Sequence, residues 1–278
     1  MKCSAKTMLP LFLSMISIHL RRTIAQEVDD QREFNYIEGS NEGPAQWGNL
    51  LTEWANCSYG LYQSPIDLSN ETATIILGNG NIQINYKPTN ATLRNRGHDV
   101  MVEWWGDAGS ILVNGTNYTL LQSHWHSPSE HAVDGQRFAL EQHLVHKTTD
   151  PITGEILMAV IGILYNIGAN DDFLSLLEAS INITINENQT EVNTGILDPR
   201  EIYINNNEYY KYMGSLTTPP CKEGVVWIIH KQVGNVSAQQ VESLRSAVHD
   251  YAENNARPLQ PRNNRDIHLH KSANILLV

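Results

Sequence analysis

Five of the chain's eleven histidines fall in one stretch, HWHSPSEHAVDGQRFALEQHLVH, running from His124 to His146. Imidazoles concentrated in this way suit a metal site, a pH sensor or a hydrogen-bonded core, and their spacing has to separate these readings. In an extended strand, residues i, i+2 and i+4 point to one face. Gln122, His124 and His126 therefore share a side. Pro128 and the Asp134-Gly135 pair then signal a chain reversal. The returning run also alternates, with Arg137, Ala139, Glu141, His143 and Val145 on one face and Phe138, Leu140, Leu144 and His146 on the other. If the two strands pair antiparallel, His143 faces the same pocket as His124 and His126. Three neutral nitrogen ligands with an open fourth position suit zinc. Gln122 and Glu141 each precede a ligand by two residues, so each can accept from a ring N–H and fix its tautomer. The competing reading is a strand-face cluster held by water and carboxylates, and His131 and His146 are read as structural histidines of that kind.

The elements that must position these residues read as β-dominated. Short runs rich in Ile, Val, Tyr and Trp recur, as in NIQINY, DVMVEWW, SILVN, MAVIGILY and VVWII, separated by Gly, Asn and Asp clusters. Two helices are expected. NDDFLSLLEASI opens on acidic residues and sets Phe173, Leu176 and Leu177 on one face. SAQQVESLRSAV carries a capping box, Ser237 with Gln240, and Val241, Leu244 and Val248 behind it. The stretch NNARPLQPRNNRD reads as irregular chain wrapping the surface. No repeat or long linker divides the sequence, and 278 residues with 41% hydrophobic content suit one large domain.

The N-terminal segment differs in character. Residues 1–25 carry Lys2 and Lys6, an apolar run from Met8 to Ile18, and small residues Thr23 and Ala25, the shape of a secretory signal peptide cleaved after Ala25. The run is too short to span a bilayer, and no other segment approaches the length needed. Removing the segment's four basic residues and no acids takes the net charge from −11 to −15. Such a chain repels phosphate backbones, and it has no basic stripe interleaved with aromatics, which excludes nucleic acid as a partner. Cys57 and Cys221 remain after export. An oxidising compartment favours their pairing, with two independent buried thiols as the other reading. Eight N-x-S/T triplets, beginning at Asn56, Asn70, Asn90, Asn114, Asn117, Asn182, Asn188 and Asn235, point to a glycosylated surface. Asn114 and Asn117 stand too close for easy double occupancy. Hydrolase chemistry finds no support: no H-E-x-x-H or G-x-S-x-G motif is present, and paired cysteines leave no thiol nucleophile.

The segment QSHWHSPSEHAVDGQRFALEQHLVH resembles the zinc-site segment of the α-class carbonic anhydrases, and GSLTTPPC resembles their substrate-side loop. QSPIDL, RGHDV and VVWII follow in the family's order, so the likeness runs from about Phe34 to Leu269. HSPSEH, NARPLQP and the cysteine pair are similar to the secreted plant branch, which includes the nectarins and the tuber-storage dioscorins.

The resemblance implies a mainly β domain over residues 34–270, built on a large twisted, mostly antiparallel central sheet with a few short peripheral helices. A short extension over residues 26–33 precedes it and a tail over residues 271–278 follows. It implies zinc held by His124, His126 and His143, carbon dioxide and bicarbonate as substrates, and secretion to an extracellular, apoplast-like space or an internal compartment on that route. Thr217 matches the gatekeeper threonine and Glu130 the carboxylate to which its hydroxyl donates. Thr218 matches the neighbouring substrate-side threonine, Val145, Val160, Leu216 and Trp227 the apolar wall, His98 the proton shuttle, and Tyr36 a tyrosine of the solvent network. Ser64–Pro65 and Pro219–Pro220 are expected to be cis, as in the family. Ser123 departs from the family pattern, where an apolar residue is usual, and its side chain is expected to point away from the metal. The alternative is a non-catalytic storage or binding relative that keeps the fold.

Overall fold

The computed structural model describes residues 34–78, 82–186, 190–204, 208–249 and 251–271. The expected signal peptide, the 26–33 extension, Asn188 and the chain beyond Lys271 lie outside these residues. Helices α1 (Trp47–Leu50) and α2 (Asn56–Tyr59) open the fold. Strands β1 (Asp67–Leu68), β2 (Thr74–Leu77), β3 (Gln83–Tyr86), β4 (Thr89–Asn95), β5 (Val100–Trp104) and β6 (Gly109–Val113) follow. Then come β7 (Thr116–His126), β8 (Ala132–Val133), β9 (Leu140–Thr149), β10 (Ile156–Ile167), α3 (Asp172–Asn186) and β11 (Glu191–Leu197). The chain ends with β12 (Glu208–Ser215), β13 (Glu223–His230), β14 (Gly234–Val236), α4 (Ala238–Ala247) and β15 (His268–Lys271).

A thirteen-stranded sheet runs β11-β4-β5-β7-β9-β10-β13-β12-β15-β2, with β6 and β3 continuing from β7 and β14 joining β10. Pairing is antiparallel except where β10 meets β13 and β14, and where β15 meets β2. β1 and β8 form a separate parallel pair.

Alternation along the central strands splits the core into two layers. One face carries Trp125, Leu144, Ala159, Ile161, Ile163 and Ile228 against the helices. Phe173 of α3 stacks between Trp104 and Trp125, with ring centroids 6.3 Å from each. The other face carries Val145, Val160, Leu164, Tyr212, Leu216 and Trp227. Both expected helices are present. α3 is capped by Asp171, whose Oδ1 accepts from Leu174 N, and α4 by the reciprocal Ser237–Gln240 box. The packed face of α3 is Phe173, Leu174, Leu177 and Ile181, whereas Leu176 is 57% exposed. A helix advances 100° per residue, so the i, i+1, i+4 and i+8 set defines the buried stripe and Leu176 falls outside it.

The reversal at Asp134-Gly135 is a tight turn with φ of 51° and 79°, closed by a bridge between Val133 and Gln136. Residues 136–139 are not strand, so Phe138 does not join Leu140 and Leu144 but packs on the opposite layer. The expected cis bonds at Ser64–Pro65 and Pro219–Pro220 are present, with a further one at Ser127–Pro128.

The stretch from Asn254 to Asp266 has no regular structure, as expected, but it is more than a surface wrap: Asn255, Arg257 and Arg265 are buried. Arg257 donates to Gln63 Oε1, Ser64 O and Cys57 O. Cys57 and Cys221 form a disulfide across a separation of 164 residues. The bond joins α2 to the turn that follows Thr217 and Thr218, and Gln63 Nε2 donates to Cys221 O beside it. Loop-closure entropy for a bridge of this span is about 5 kcal/mol, comparable with the net stability of a domain. Reduction is therefore expected to lower the thermal midpoint steeply. Thiol titration of the unfolded, unreduced protein over residues 26–278 checks the premise, since two reactive thiols per chain would remove it.

Candidate metal site

β7 and β9 pair antiparallel with His124 opposite His143 and His126 opposite Glu141. All four side chains fall on the layer that carries Val145 and Val160, and all are buried. The three imidazole centroids lie 4.7 to 5.1 Å apart. One nitrogen from each ring comes within 4.8 Å of the others.

The hydrogen bonds decide which nitrogen faces inward. His124 Nδ1 lies 2.8 Å from Gln122 Oε1, His126 Nδ1 lies 2.8 Å from Asn255 O, and His143 Nε2 lies 2.8 Å from Glu141 Oε1. Each of these oxygens accepts, so each named nitrogen carries the proton. The remaining lone pairs are His124 Nε2, His126 Nε2 and His143 Nδ1. Two of them stand 3.3 Å apart, and His126 Nε2 is buried without a hydrogen-bond partner. Convergent acceptors at that distance repel unless a cation lies between them. The donor set fits a tetrahedral metal with one position left for water.

Glu141 organises a second layer. Its Oε2 accepts from the backbone N–H groups of Glu130 and His131, and its Oε1 from the rings of His131 and His143. His131 Nε2 in turn meets Tyr212 Oη at 2.6 Å. The grouping of His131, Glu141 and His143 is thus a hydrogen-bonded chain rather than a second cage. Room for Glu141 comes from β10. At Gly162, opposite His143, a Cβ would lie 3.0 Å from Glu141 Oε1 and 2.5 Å from Ile229 Cδ1. His146, read as structural, packs on the helical face, accepts from Tyr86 Oη at 2.7 Å, and is pushed by burial down to about 3.

Electrostatics follow burial and neighbours. Desolvation pushes His124 well below the ordinary imidazole range, with His126, His143 and Arg96 adding to it against Asp99. His126 shifts upward, because Glu130, the Asn255 carbonyl, Asp99 and Glu141 outweigh its desolvation. Burial opposes the Glu141 charge, yet His131 and His143 hold its carboxyl well below the usual range.

Around this centre, Val145, Val160 and Trp227 sit in one cross-strand row, paired Val145 with Val160 and Val160 with Trp227. The Trp227 ring lies 4.8 Å from that of His143, and its Nε1 donates to Ser215 O beside Leu216. Glu130 Oε1 accepts from Arg257 N, while Oε2 is buried without a hydrogen-bond partner, 3.6 Å from His126 Nε2. Thr217 and Thr218 are buried in the turn after β12, and no bond joins Thr217 to Glu130 in this geometry. His98 is fully buried in the β4–β5 turn, its ring 5.5 Å from Phe34 and its Nε2 3.7 Å from Asp99 Oδ2. Tyr36 packs edge-on against Phe34 and Trp47. Ser123 faces the helical layer, where its Oγ accepts from Gln142, whose Oε1 accepts from Tyr165. The Asn at every described sequon is exposed.

Sequence reasoning passed over Asn255, Arg257 and Gly162. Asn255 holds His126 through its carbonyl, and its side chain bonds Ser127 N, Trp125 O and His98 O. The NNARPLQP string contained two of these residues, but irregular chain offers no periodicity from which to assign a direction.

One outcome tests the second layer without activity. In Glu141→Gln an amide N–H must confront donors, so the metal-free protein is expected to lose on the order of 1–3 kcal/mol in denaturant unfolding. A carboxylate with a lowered folded pKa contributes above its unfolded value, about 4.3, and the contribution fades as pH falls below it. The variant should therefore lack that part of the acid slope, and an unchanged profile would contradict the assigned bonds.

With this geometry in place, comparison with known proteins is direct. The profile of eukaryotic-type carbonic anhydrases matches residues 42–271. Carbonic anhydrase Nec1 of Nesocodon mauritianus is 49% identical over 260 residues, covering 94% of this chain and 93% of its own. Alpha carbonic anhydrase 7 of Arabidopsis thaliana is 46% identical over 258 residues, covering 93% and 92%. A crystal structure of dioscorin complexed with ascorbate superposes with a TM-score of 0.83 at 44% identity, over 86% of this chain and 98% of that one. Sheet order, the histidine cage and these likenesses agree: the chain belongs to the eukaryotic-type, or α, carbonic anhydrase family.

Proposed function

We propose that this protein is a zinc enzyme that reversibly hydrates carbon dioxide to bicarbonate and a proton, and that it is exported and glycosylated. The observation that carries this reading is the set of three convergent lone pairs, each oriented by an acceptor on the opposite ring nitrogen. His124, His126 and His143 would hold the metal. When bound, zinc supplies a Lewis acid that makes water acidic enough to ionise near neutral pH, a property known for this family and not deduced from these residues.

The chain's own groups do the rest. Val145, Val160, Leu216 and Trp227 exclude water and offer carbon dioxide an apolar wall beside the cage. Glu130 Oε2 has no hydrogen-bond partner to compete for the Thr217 proton. A Thr217 hydroxyl that donates there keeps only an accepting lone pair for the substrate side, which selects a proton-bearing oxygen. His98, which shares the Phe34 ring with Tyr36, carries the proton outward, a task for which an imidazole is suited. The Cys57–Cys221 bond is consistent with the export route, and no described helix is long and apolar enough to cross a membrane. A storage role without catalysis stays in view, because dioscorin shares the fold so closely. Metal analysis together with proton release on adding dissolved carbon dioxide separates the two readings.

His143→Ala is expected to lose zinc and nearly all hydration, since two imidazoles make a poor tetrahedral cage. Zinc content and rate near the parent's would sink the ligand assignment. His98→Ala is expected to slow turnover in weak buffer, leave exchange between carbon dioxide and bicarbonate intact, and respond to added imidazole. Asn255→Ala should retain zinc, because its contact with His126 is made by the backbone, yet share the buffer-limited defect by releasing the His98 turn. Full turnover for both in weak buffer would place the proton path elsewhere.

A further inference from the structure

A cavity of about 650 Å³ opens on the surface beside β12, lined in part by Tyr62, Asn114, Lys211, Met213, Asn264 and Arg265. Its size falls within the roughly 300–1,000 Å³ typical of sites for small ligands. Tyr212 also lines it and reaches the layer behind the cage through His131, while the six residues named take no part in the metal site. The wall is a built one. The Arg265 guanidinium lies 6.0 Å from the Tyr62 ring and 5.6 Å from the Tyr212 ring. Its nitrogens are spent on the carbonyls of Pro261, Arg262 and Met213, which fixes it as a strut between the two rings. Tyr62 and Met213 are each 49% exposed, an apolar surface on a chain of formal charge −11.

Asn114 stands on the rim of this cavity and begins the triplet Asn114-Gly115-Thr116. With Gly115 it forms the tip of the β6–β7 hairpin, at φ of 50° and 82°, and Val113 pairs with Thr116. Lys211 Nζ donates to Asn114 Oδ1 at 3.1 Å. Lysine offers donors alone, so the orientation of the amide is settled: the oxygen faces Lys211, and Nδ2 is turned away from it. Nδ2 is the atom that an N-glycosidic bond uses. Asn117, the competing acceptor three residues on, lies within paired strand β7 opposite Leu112.

We propose that Asn114 carries an N-linked glycan whose first sugars pack into this cavity. The bond forms between Asn114 Nδ2 and the anomeric carbon of a lipid-diphosphate-linked oligosaccharide donor. The anomeric C–O bond breaks, the diphosphate leaves with its electron pair, and the amide nitrogen gives one proton to the transferase's base. The bond uses Nδ2 alone, so in the folded chain Oδ1 is left to accept from Lys211. The C–H face of a pyranose suits Tyr62 and Met213, and its hydroxyl and acetamido groups suit Lys211 and the Asn264 amide. The sugar then ties the hairpin tip to β12 and to the chain around Tyr62, which runs directly into Gln63 and the disulfide network.

This rests on the reading of the chain as exported, and the experiment separates the two. The full chain is secreted from eukaryotic cells and its glycopeptides are sequenced by mass spectrometry. Sugar on Asn114 with Asn117 bare on the same molecules is the expected result. Endoglycosidase under native conditions should then release the Asn114 glycan several-fold more slowly than those at Asn182 or Asn235. Tyr62→Ala and Met213→Glu, made separately, should each abolish that protection. A bare Asn114 alongside occupied sequons elsewhere, or release at Asn114 as fast as at the other sites, overturns the proposal. Bare asparagine at every sequon of the secreted chain overturns it too, whereas a chain held back in the cytosol fails the export reading instead.

Discussion

Taking three imidazoles out of water leaves six ring nitrogens to satisfy, and the architecture of the site follows from that constraint. A buried polar atom without a partner costs about 1–3 kcal/mol. Gln122, Asn255 and Glu141 settle three of the six. The same bonds force the other three lone pairs toward one another, with His143 Nδ1 3.3 Å from His124 Nε2. Strand register sets the spacing, the acceptors set the tautomers, and a cation is the group that satisfies all three at once. The site is thus prearranged by hydrogen bonds that do not depend on what occupies it.

Those acceptors have to be held in turn, and this joins distant parts of the chain. Asn255 and Arg257 come from irregular chain after α4, yet they reach His126, His98, Glu130 and Cys57. Arg257 is buried deeply enough for desolvation to bring it down to about 10, with Glu130 partly offsetting the effect. Its guanidinium meets carbonyl oxygens and the Gln63 amide oxygen rather than a carboxylate. Burial of the charge is therefore offset by hydrogen bonds at the two terminal nitrogens and by the Trp47 ring 5.7 Å away, not by an ion pair, and Nε is buried without a hydrogen-bond partner. The disulfide closes the same circuit from the other side, through Gln63 and the turn that follows Thr217.

How much of this was legible in the sequence depended on periodicity. The alternation around His124, His126 and His143 placed the cage on one face, and the Asp134-Gly135 turn supplied the antiparallel return. Capping residues marked both longer helices. Where alternation stopped, inference stopped as well: Phe138 lies in a non-strand segment and turns to the opposite layer from Leu140. Leu176 misled because three apolar residues near a helix start do not define a stripe until Leu174 and Ile181 are counted with them. Asn255, Arg257 and Gly162 were invisible for a different reason. Their roles come from what lies across the sheet or far along the chain, and no local pattern records that. The burial of His98 beneath Phe34 is of the same kind.

Ser123 shows how far the two faces of the sheet are separable. A polar residue buried next to a metal ligand looks like a defect in the site, yet alternation sends it to the helical layer. There Gln142 donates to it, and Tyr165 donates to Gln142. Such a chain replaces apolar packing with three side chains that satisfy one another, and half-satisfied burial would be worse than either. Gln142 lies between Glu141 and His143, so β9 presents the helical network and the metal network on alternate residues. Neither network shares an atom with the other beyond the backbone. A change in core polarity on the helical side therefore leaves the cage geometry standing, because the strand pairing that sets it depends on main-chain hydrogen bonds common to both faces.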